Sequence, residues 1–217
     1  MKAFIFAAGL GTRLRPLTLD KPKALVPVAG RTMLERTITT LKEAGFSDFV
    51  INVHHFADQI EDYLKANDNF ACNITISDER EMLLDTGGAI AAAHELIGDE
   101  PFLIHNVDIV SNLDIRTFVE TGLGNSLAKV VASDRPSSRR LLFDAEGRLC
   151  GWKNLTTSEV RGPAAGALEM VKDSLAFSGI HLVSPGIFAL MEGWPQRFSI
   201  IDFYLSLPPP SMSRPRK

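Results

Sequence analysis

Ala3-Phe-Ile-Phe-Ala-Ala-Gly-Leu-Gly-Thr-Arg13 opens with a short apolar run that stops at two glycines. Ala3–Ala8 is continuous rather than alternating, which predicts a strand buried on both faces and ended by Gly9. The next elements agree with a strand–helix alternation. Thr32–Gly45 is expected to be a helix, with Leu34, Ile38 and Leu41 on one face, Thr32 and Glu35 as a capping box, and Gly45 at its end. Asp48–Val53 reads as a second strand, Ala57–Ala66 as a helix and Asn73–Ser77 as a third strand. Thr86–Ile97 is then a helix, Phe102–Asn106 a strand, Asp114–Thr121 a helix and Ala128–Ser133 a strand. Such a series predicts an α/β fold: a three-layer, Rossmann-like, mostly parallel sheet with helices on both faces.

After Ser133 the pattern changes. Arg140–Phe143 and Arg148–Trp152 flank Gly147 and predict a hairpin. Thr156–Gly166 reads as a loop, Ala176–Val183 as a return strand, and Pro185–Met191 and Phe198–Leu205 as short helices. Residues 1–206 therefore form one domain. Residues 207–217 carry four prolines and three basic residues, and a disordered tail is expected there.

The chain has 217 residues, 45% apolar and 23% charged, close to the soluble globular average and unlike disordered, collagenous or coiled-coil sequences. No run approaches the roughly 18 apolar residues of a membrane span. Cys72 and Cys150 have no metal-ligand spacing, so reduced thiols in a cytoplasmic protein are expected. A net charge of −3 argues against nucleic acid as the main partner.

Charge is concentrated near the first turn. Between Gly9 and Lys23 stand Arg13, Arg15, Lys21 and Lys23 against Asp20 alone, a net +3 in an acidic protein. Glycines after a strand let backbone N–H groups approach phosphates closely. A dinucleotide fingerprint would need a glycine where Leu14 stands and an acid ending the second strand, which instead reads Asn52-Val-His-His55. A Walker motif would need Gly-Lys-Ser/Thr. Neither is present, and a solvated basic loop is the plain alternative.

Gly9-Leu-Gly-Thr-Arg-Leu14 with Lys21-Pro-Lys-Ala-Leu25 resembles the signature of the sugar-1-phosphate nucleotidyltransferases. Leu84-Asp-Thr-Gly-Gly-Ala-Ile90 is similar to that family's base- and sugar-recognition loop. Asn106-Val-Asp108 resembles its metal site, and Phe177-Ser-Gly-Ile180 its sugar-lining strand. The resemblance implies transfer of a nucleotidyl group from a nucleoside triphosphate to a sugar 1-phosphate, with Mg²⁺ as cofactor and pyrophosphate released. N-acetylmuramate, mannose and heptose 1-phosphates are the substrates of the members it looks most like. The implied partners are those two substrates, with a further copy of the chain allowed and no membrane or nucleic acid.

Residue roles follow from the resemblance. Arg13, Lys23 and Asp108 would be catalytic, Asp108 also holding the metal. Ala7, Ala8, Gly9, Gly11, Thr12, Arg13, Thr86 and Gly87 would bind the nucleotide. Gly88, Asn106, Ser178 and Gly179 would bind the sugar. Thr86 is alternatively the cap of its own helix. Val107 departs from the family's glycine, so that loop is expected to follow a different local path.

One family feature is missing from the sequence. Members carry a second Mg²⁺ ligand in a late Trp-x-Asp-x-Gly segment, and this sequence has none; its last acid, Asp202, lies in an apolar helix. The expectations are an apolar patch left uncovered at Phe198–Leu205 and, as the alternative function, a degenerate nucleotide- or NDP-sugar-binding module with little turnover.

Overall fold

The computed structural model describes residues 1–207 and 212–213. In chain order the elements are β1 (Ala3–Phe6), β2 (Pro27–Val28), β3 (Arg31–Thr32), α1 (Met33–Glu43), β4 (Asp48–Val53), α2 (Ala57–Ala66) and β5 (Asn73–Asp78). Next come α3 (Asp85–Ala92), α4 (His94–Ile97), β6 (Phe102–Asn106), α5 (Ile115–Glu120), β7 (Ala128–Ser133), β8 (Arg139–Phe143), β9 (Leu149–Asn154) and β10 (Val160–Arg161). The last are β11 (Asp173–Val183), α6 (Ile187–Met191), α7 (Ile200–Ser206) and β12 (Met212–Ser213).

Four strands in the order β6-β1-β4-β5 run parallel, joined through helical crossovers. Their apolar residues alternate between two cores. Phe4, Val50 and Ile104 face α3, α4, α6 and α7, whereas Ile5, Ile51 and Leu103 face α1, α2 and α5. Helices thus cover both faces, and the strands show the near-continuous burial that such a position demands. The second half extends the sheet antiparallel: β11 pairs with β6, β7 and β8, and β8, β9 and β10 follow at one edge. No helix among the described residues is long and apolar enough to cross a membrane.

Local signals act as their chemistry dictates. Thr32 caps α1 by accepting from the Glu35 N–H (3.0 Å), and Gly147 turns the β8–β9 hairpin in the left-handed region (φ 77°).

Four expectations need correction. The helix foreseen over Thr86–Ile97 breaks at Ala93, whose N–H is shared between Ala89 O and Ile90 O (both 3.2 Å). The Thr156–Gly166 loop contains β10, which pairs with β9. Phe198–Leu205 is not an exposed patch. Phe198, Ile200, Phe203 and Tyr204 are buried against α3 and β9, with Trp194 packing on Phe198 and Phe203 at ring distances of 4.9 and 5.2 Å. Within the expected disordered tail, Met212–Ser213 pairs parallel with β7 and Met212 is buried; residues 208–211 and 214–217 lie outside the described residues.

Candidate active site

The carboxyl ends of β1, β4, β5 and β6 open onto one cleft, the position where parallel sheets bind ligands. Its floor is the Ala7–Gly9 turn. Gly9 has no atom within 4 Å of where a Cβ would stand, so the space beside it is open. Gly11 is different. It sits at φ 63°, and a Cβ there would lie 2.9 Å from Thr18 Cγ2 and 3.0 Å from Lys23 Cβ. Thr18 Oγ1 also donates to Gly11 O (2.8 Å). Gly11 therefore closes the loop onto Thr18 and Lys23, and its role is conformational.

Arg13 stands on a 3₁₀ turn, Thr12–Leu14, and Lys23 on another, Lys23–Leu25. The Lys23 ammonium forms an ion pair with Asp108 Oδ2, both side chains being partly exposed. Asp108 follows β6, positioned by Val107, whose N–H donates to Phe6 O (3.2 Å) and whose carbonyl accepts from Thr37 Oγ1 (3.0 Å). Val107 keeps an ordinary negative φ.

Two hollows meet at these groups. One, of about 430 Å³, lies between Ala7–Gly9 and the Leu83–Thr86 segment and includes Asn106 and Arg197. The other, of about 580 Å³, lies over Gly9–Leu14. Arg13, Lys23 and Asp108 border both.

A buried polar pair ties the cleft together. Asn52, at the end of β4, accepts through Oδ1 from the Ala7 N–H (2.7 Å) and the Ala8 N–H (3.3 Å). Its Nδ2 donates to Glu79 Oε1 (2.7 Å), and Glu79 Oε2 accepts from the Leu84 N–H (3.0 Å). Burial pushes the Glu79 carboxyl up from its usual range, and these two hydrogen bonds act against that push. His54 Nδ1 donates to Glu79 O (2.6 Å). Sequence reasoning missed Asn52, Glu79, Asp85 and Arg197 as cleft residues. The available signal was polar: Asn52 interrupts an apolar strand, where a buried amide must find partners.

The Leu84–Ile90 segment packs against the 196–200 segment. Thr86 lines the cleft but does not cap α3, which opens at Asp85. Its hydroxyl oxygen accepts from the Ile200 N–H (2.9 Å) and so serves the start of α7. The N–H groups of Gly87 and Gly88 both donate to Phe198 O (2.8 and 3.3 Å). A Cβ at Gly87 would lie 2.3 Å from the Phe198 ring, and one at Gly88 would lie 2.2 Å from Gln196 O. Both glycines therefore make room for the 196–198 segment. Asp85 occupies the left-handed region (φ 60°) with its carboxylate accepting from the Thr86 N–H (2.6 Å), a conformation Asp tolerates at modest cost.

Ser178 and Gly179 form a bulge in β11, between Phe177 and His181. Gly179 (φ 73°) leaves the space that the Asn106 side chain fills, a Cβ there falling 2.7 Å from Nδ2. Ser178 Oγ lies 3.4 Å from Ser133 Oγ. Neither borders the two hollows; Gly179 makes room for Asn106, which borders the first. Asp202 forms an ion pair with Arg161, which also stacks on Trp152 at 3.8 Å. His105 and His181 are buried, and burial lowers both imidazoles. Among the described residues no group of three or more His, Cys, Asp or Glu is arranged to hold a metal.

Residues 2–131 match the model of the nucleotidyl transferase family. An N-acetylmuramate alpha-1-phosphate uridylyltransferase of Neisseria meningitidis is 35% identical over 88% of this chain and 79% of its own length. A protein of the same name from Caulobacter vibrioides is 46% identical over 50% of this chain, the match spanning 46% of that relative's length. The crystal structure of a putative glucose-1-phosphate thymidylyltransferase from Bacillus anthracis shares the fold, with a TM-score of 0.80 at 19% identity over 99% of this chain and 86% of that one. With more than half its length in the family model, and a relative this similar over most of both chains, the chain belongs to the nucleotidyl transferase family.

Proposed function

We propose that the chain transfers a nucleotidyl group from a nucleoside triphosphate to a sugar 1-phosphate, forming an NDP-sugar and pyrophosphate. The observation that carries this reading is the meeting of two hollows at Arg13, Lys23 and Asp108. The attacking sugar phosphate and the α-phosphate are both anionic. Each pair of unit charges about 4 Å apart repels by roughly 4 kcal/mol at an effective dielectric of 20. Little covalent work is left to the protein, whose task is to gather charge and align the partners.

Each residue then has a role. The hollow beside Ala7–Gly9 and Leu83–Thr86 takes the nucleoside, and Gly9 admits it at close range. Gly11 and Thr12 shape the loop that carries Arg13. The planar fork of Arg13 binds β- and γ-oxygens and neutralises the departing pyrophosphate. Lys23 draws the two reacting phosphates together. Asn106, seated against Gly179, borders the same hollow as Ala7–Gly9, next to Asp108, and can reach the ligand there.

Mg²⁺ suits this donor set. Asp108 is a hard oxygen ligand open to the cleft, and a lone carboxylate is a common protein share when phosphates supply the other oxygens. When bound, the ion supplies charge neutralisation and orientation of phosphate oxygens. The two cysteines are free thiols, which supports a reducing, cytoplasmic setting.

The names of the Neisseria and Caulobacter relatives make UTP with N-acetylmuramate 1-phosphate the first pair to test. The experiment is a matrix of nucleoside triphosphates and sugar 1-phosphates read by pyrophosphate release. Turnover with at least one pair, and a matching NDP-sugar in the product, is expected. Silence across the matrix overturns the reading.

A further inference from the structure

The Asn52–Glu79 pair ties the turn after β1 to the segment after β5, where the ladders β1–β4 and β4–β5 end. Asn52 Oδ1 holds the Ala7 and Ala8 N–H groups at the floor of the cleft. Glu79 Oε2 holds the Leu84 N–H, at the base of the opposite wall. The Asn52 Nδ2 to Glu79 Oε1 bond (2.7 Å) is the link between the two. Both residues are almost fully buried, at 2% and 3% exposure. Every donor here faces an acceptor, so the polarity of the link runs one way only. The amide must present oxygen to β1 and nitrogen to Glu79, and Glu79 must accept on both oxygens.

We propose that Asn52 and Glu79 are positioning residues that set the gap between the Ala7–Gly9 floor and the Leu83–Thr86 wall, and so determine how well the nucleoside fits. The part concerning the nucleoside rests on the function proposed above; the part concerning the gap rests on the hydrogen bonds alone. Neither side chain needs to touch the reacting phosphates.

The polarity gives a test by exchange of partners. In Glu79→Gln one amide must face another donor, either Asn52 Nδ2 or the Leu84 N–H. In Asn52→Asp two carboxylates face each other. In the double variant N52D/E79Q the pattern is restored with the same total charge. The carboxylate at position 52 then accepts from Ala7, Ala8 and the new amide at position 79, whose oxygen accepts from Leu84. A leftover buried donor or acceptor is costly, whereas a restored pair is nearly neutral.

The full chain and the three variants are compared by amide hydrogen exchange at Ala8 and Leu84, and by KM for the nucleotide against kcat. Each single variant should speed exchange at both amides by at least ~tenfold and raise the nucleotide KM by at least ~tenfold, with kcat changed less. The double variant should return both quantities to within about threefold of the parent. Single variants with parental exchange and KM overturn the proposal, as does a double variant worse than either single one. Should a single variant fail to fold, the parent and the double variant decide: Ala8 and Leu84 must exchange through one common opening, and rates differing by more than about a hundredfold overturn the coupling. A parent that shows the common opening but no turnover with any substrate pair refutes the proposed function and leaves the positioning pair standing.

Discussion

Lys23 and Asp108, 85 positions apart in the chain, neutralise each other across the line where the two hollows meet. The contact joins the Gly9–Lys23 loop to the end of β6. It is partly exposed, so it adds little stability: pairs of this kind contribute about 0–1 kcal/mol. Its importance is electrostatic. Anything that engages one partner releases the charge of the other into the cleft.

Arg13 and Lys23 should therefore matter more for turnover than for stability. Replacing either by alanine is expected to lower kcat at least tenfold, about 1.4 kcal/mol in barrier, with the thermal midpoint nearly unchanged. Pyrophosphate-release kinetics and a melting curve measure the two effects. Unchanged kcat in both variants retires the assignment, and a pure KM effect moves them to ground-state binding.

Asp108→Asn keeps the shape of the side chain and removes its charge. Activity should be lost, and the parent should require a divalent cation that a chelator removes. A free chain with nucleotide absent should bind Mg²⁺ only weakly, because one carboxylate gives little affinity. Calorimetry with and without nucleotide checks the last point. An active, chelator-resistant enzyme contradicts the metal role.

Much of the parallel core was legible because its signals are local. β4, α2, β6 and β7 fall where apolar period and flanking breakers put them, and Thr32 caps α1 as its spacing from Glu35 implies. Arg13, Lys23 and Asp108 could be named singly, and the fold brings them to one cleft. Gly87 and Gly88 show where local reading stops. A glycine pair signals close approach but not what approaches, and here it is Phe198 and Gln196, more than a hundred positions away. Asn52 and Glu79 were hidden for the same reason, since a hydrogen bond between two strand ends has no periodicity.

Three glycines near the cleft should respond differently to alanine. At Gly88 the new Cβ would lie 2.2 Å from a backbone oxygen, and at Gly87 2.3 Å from an aromatic ring. A helical Gly→Ala exchange normally gains about 0.5–1 kcal/mol, but overpacking costs about 1–3 and should prevail. Both variants should lower the denaturant midpoint. Gly9→Ala meets nothing within 4 Å, so its stability should stay within about 0.5 kcal/mol of the parent while the nucleotide KM rises. Equal midpoints for all three variants would refute the packing role of Gly87 and Gly88.

His181 should make the fold sensitive to acid. Its ring is buried between β11 and α7, with Nδ1 2.9 Å from the Tyr204 hydroxyl and no carboxylate among the described residues hydrogen-bonded to it. Burial, reinforced by His105, drops its pKa from 6.5 to about 3, while burial raises that of Tyr204 and keeps its hydroxyl protonated. The unfolded chain therefore binds a proton here that the folded chain refuses. Stability from this group is complete above pH 6.5 and is withdrawn as the pH falls towards 3, by up to about 5 kcal/mol. Glu79 acts in the opposite sense, because its raised pKa favours the folded state as acid is added. In NMR titrations the His181 ring should stay neutral until the protein unfolds. A chain carrying His181→Leu with Tyr204→Phe, which replaces both hydrogen-bonding partners, should show a flatter stability profile between pH 6.5 and 3. A folded-state titration of His181 near its ordinary value, or a double variant with the parent's slope, would assign the acid sensitivity elsewhere.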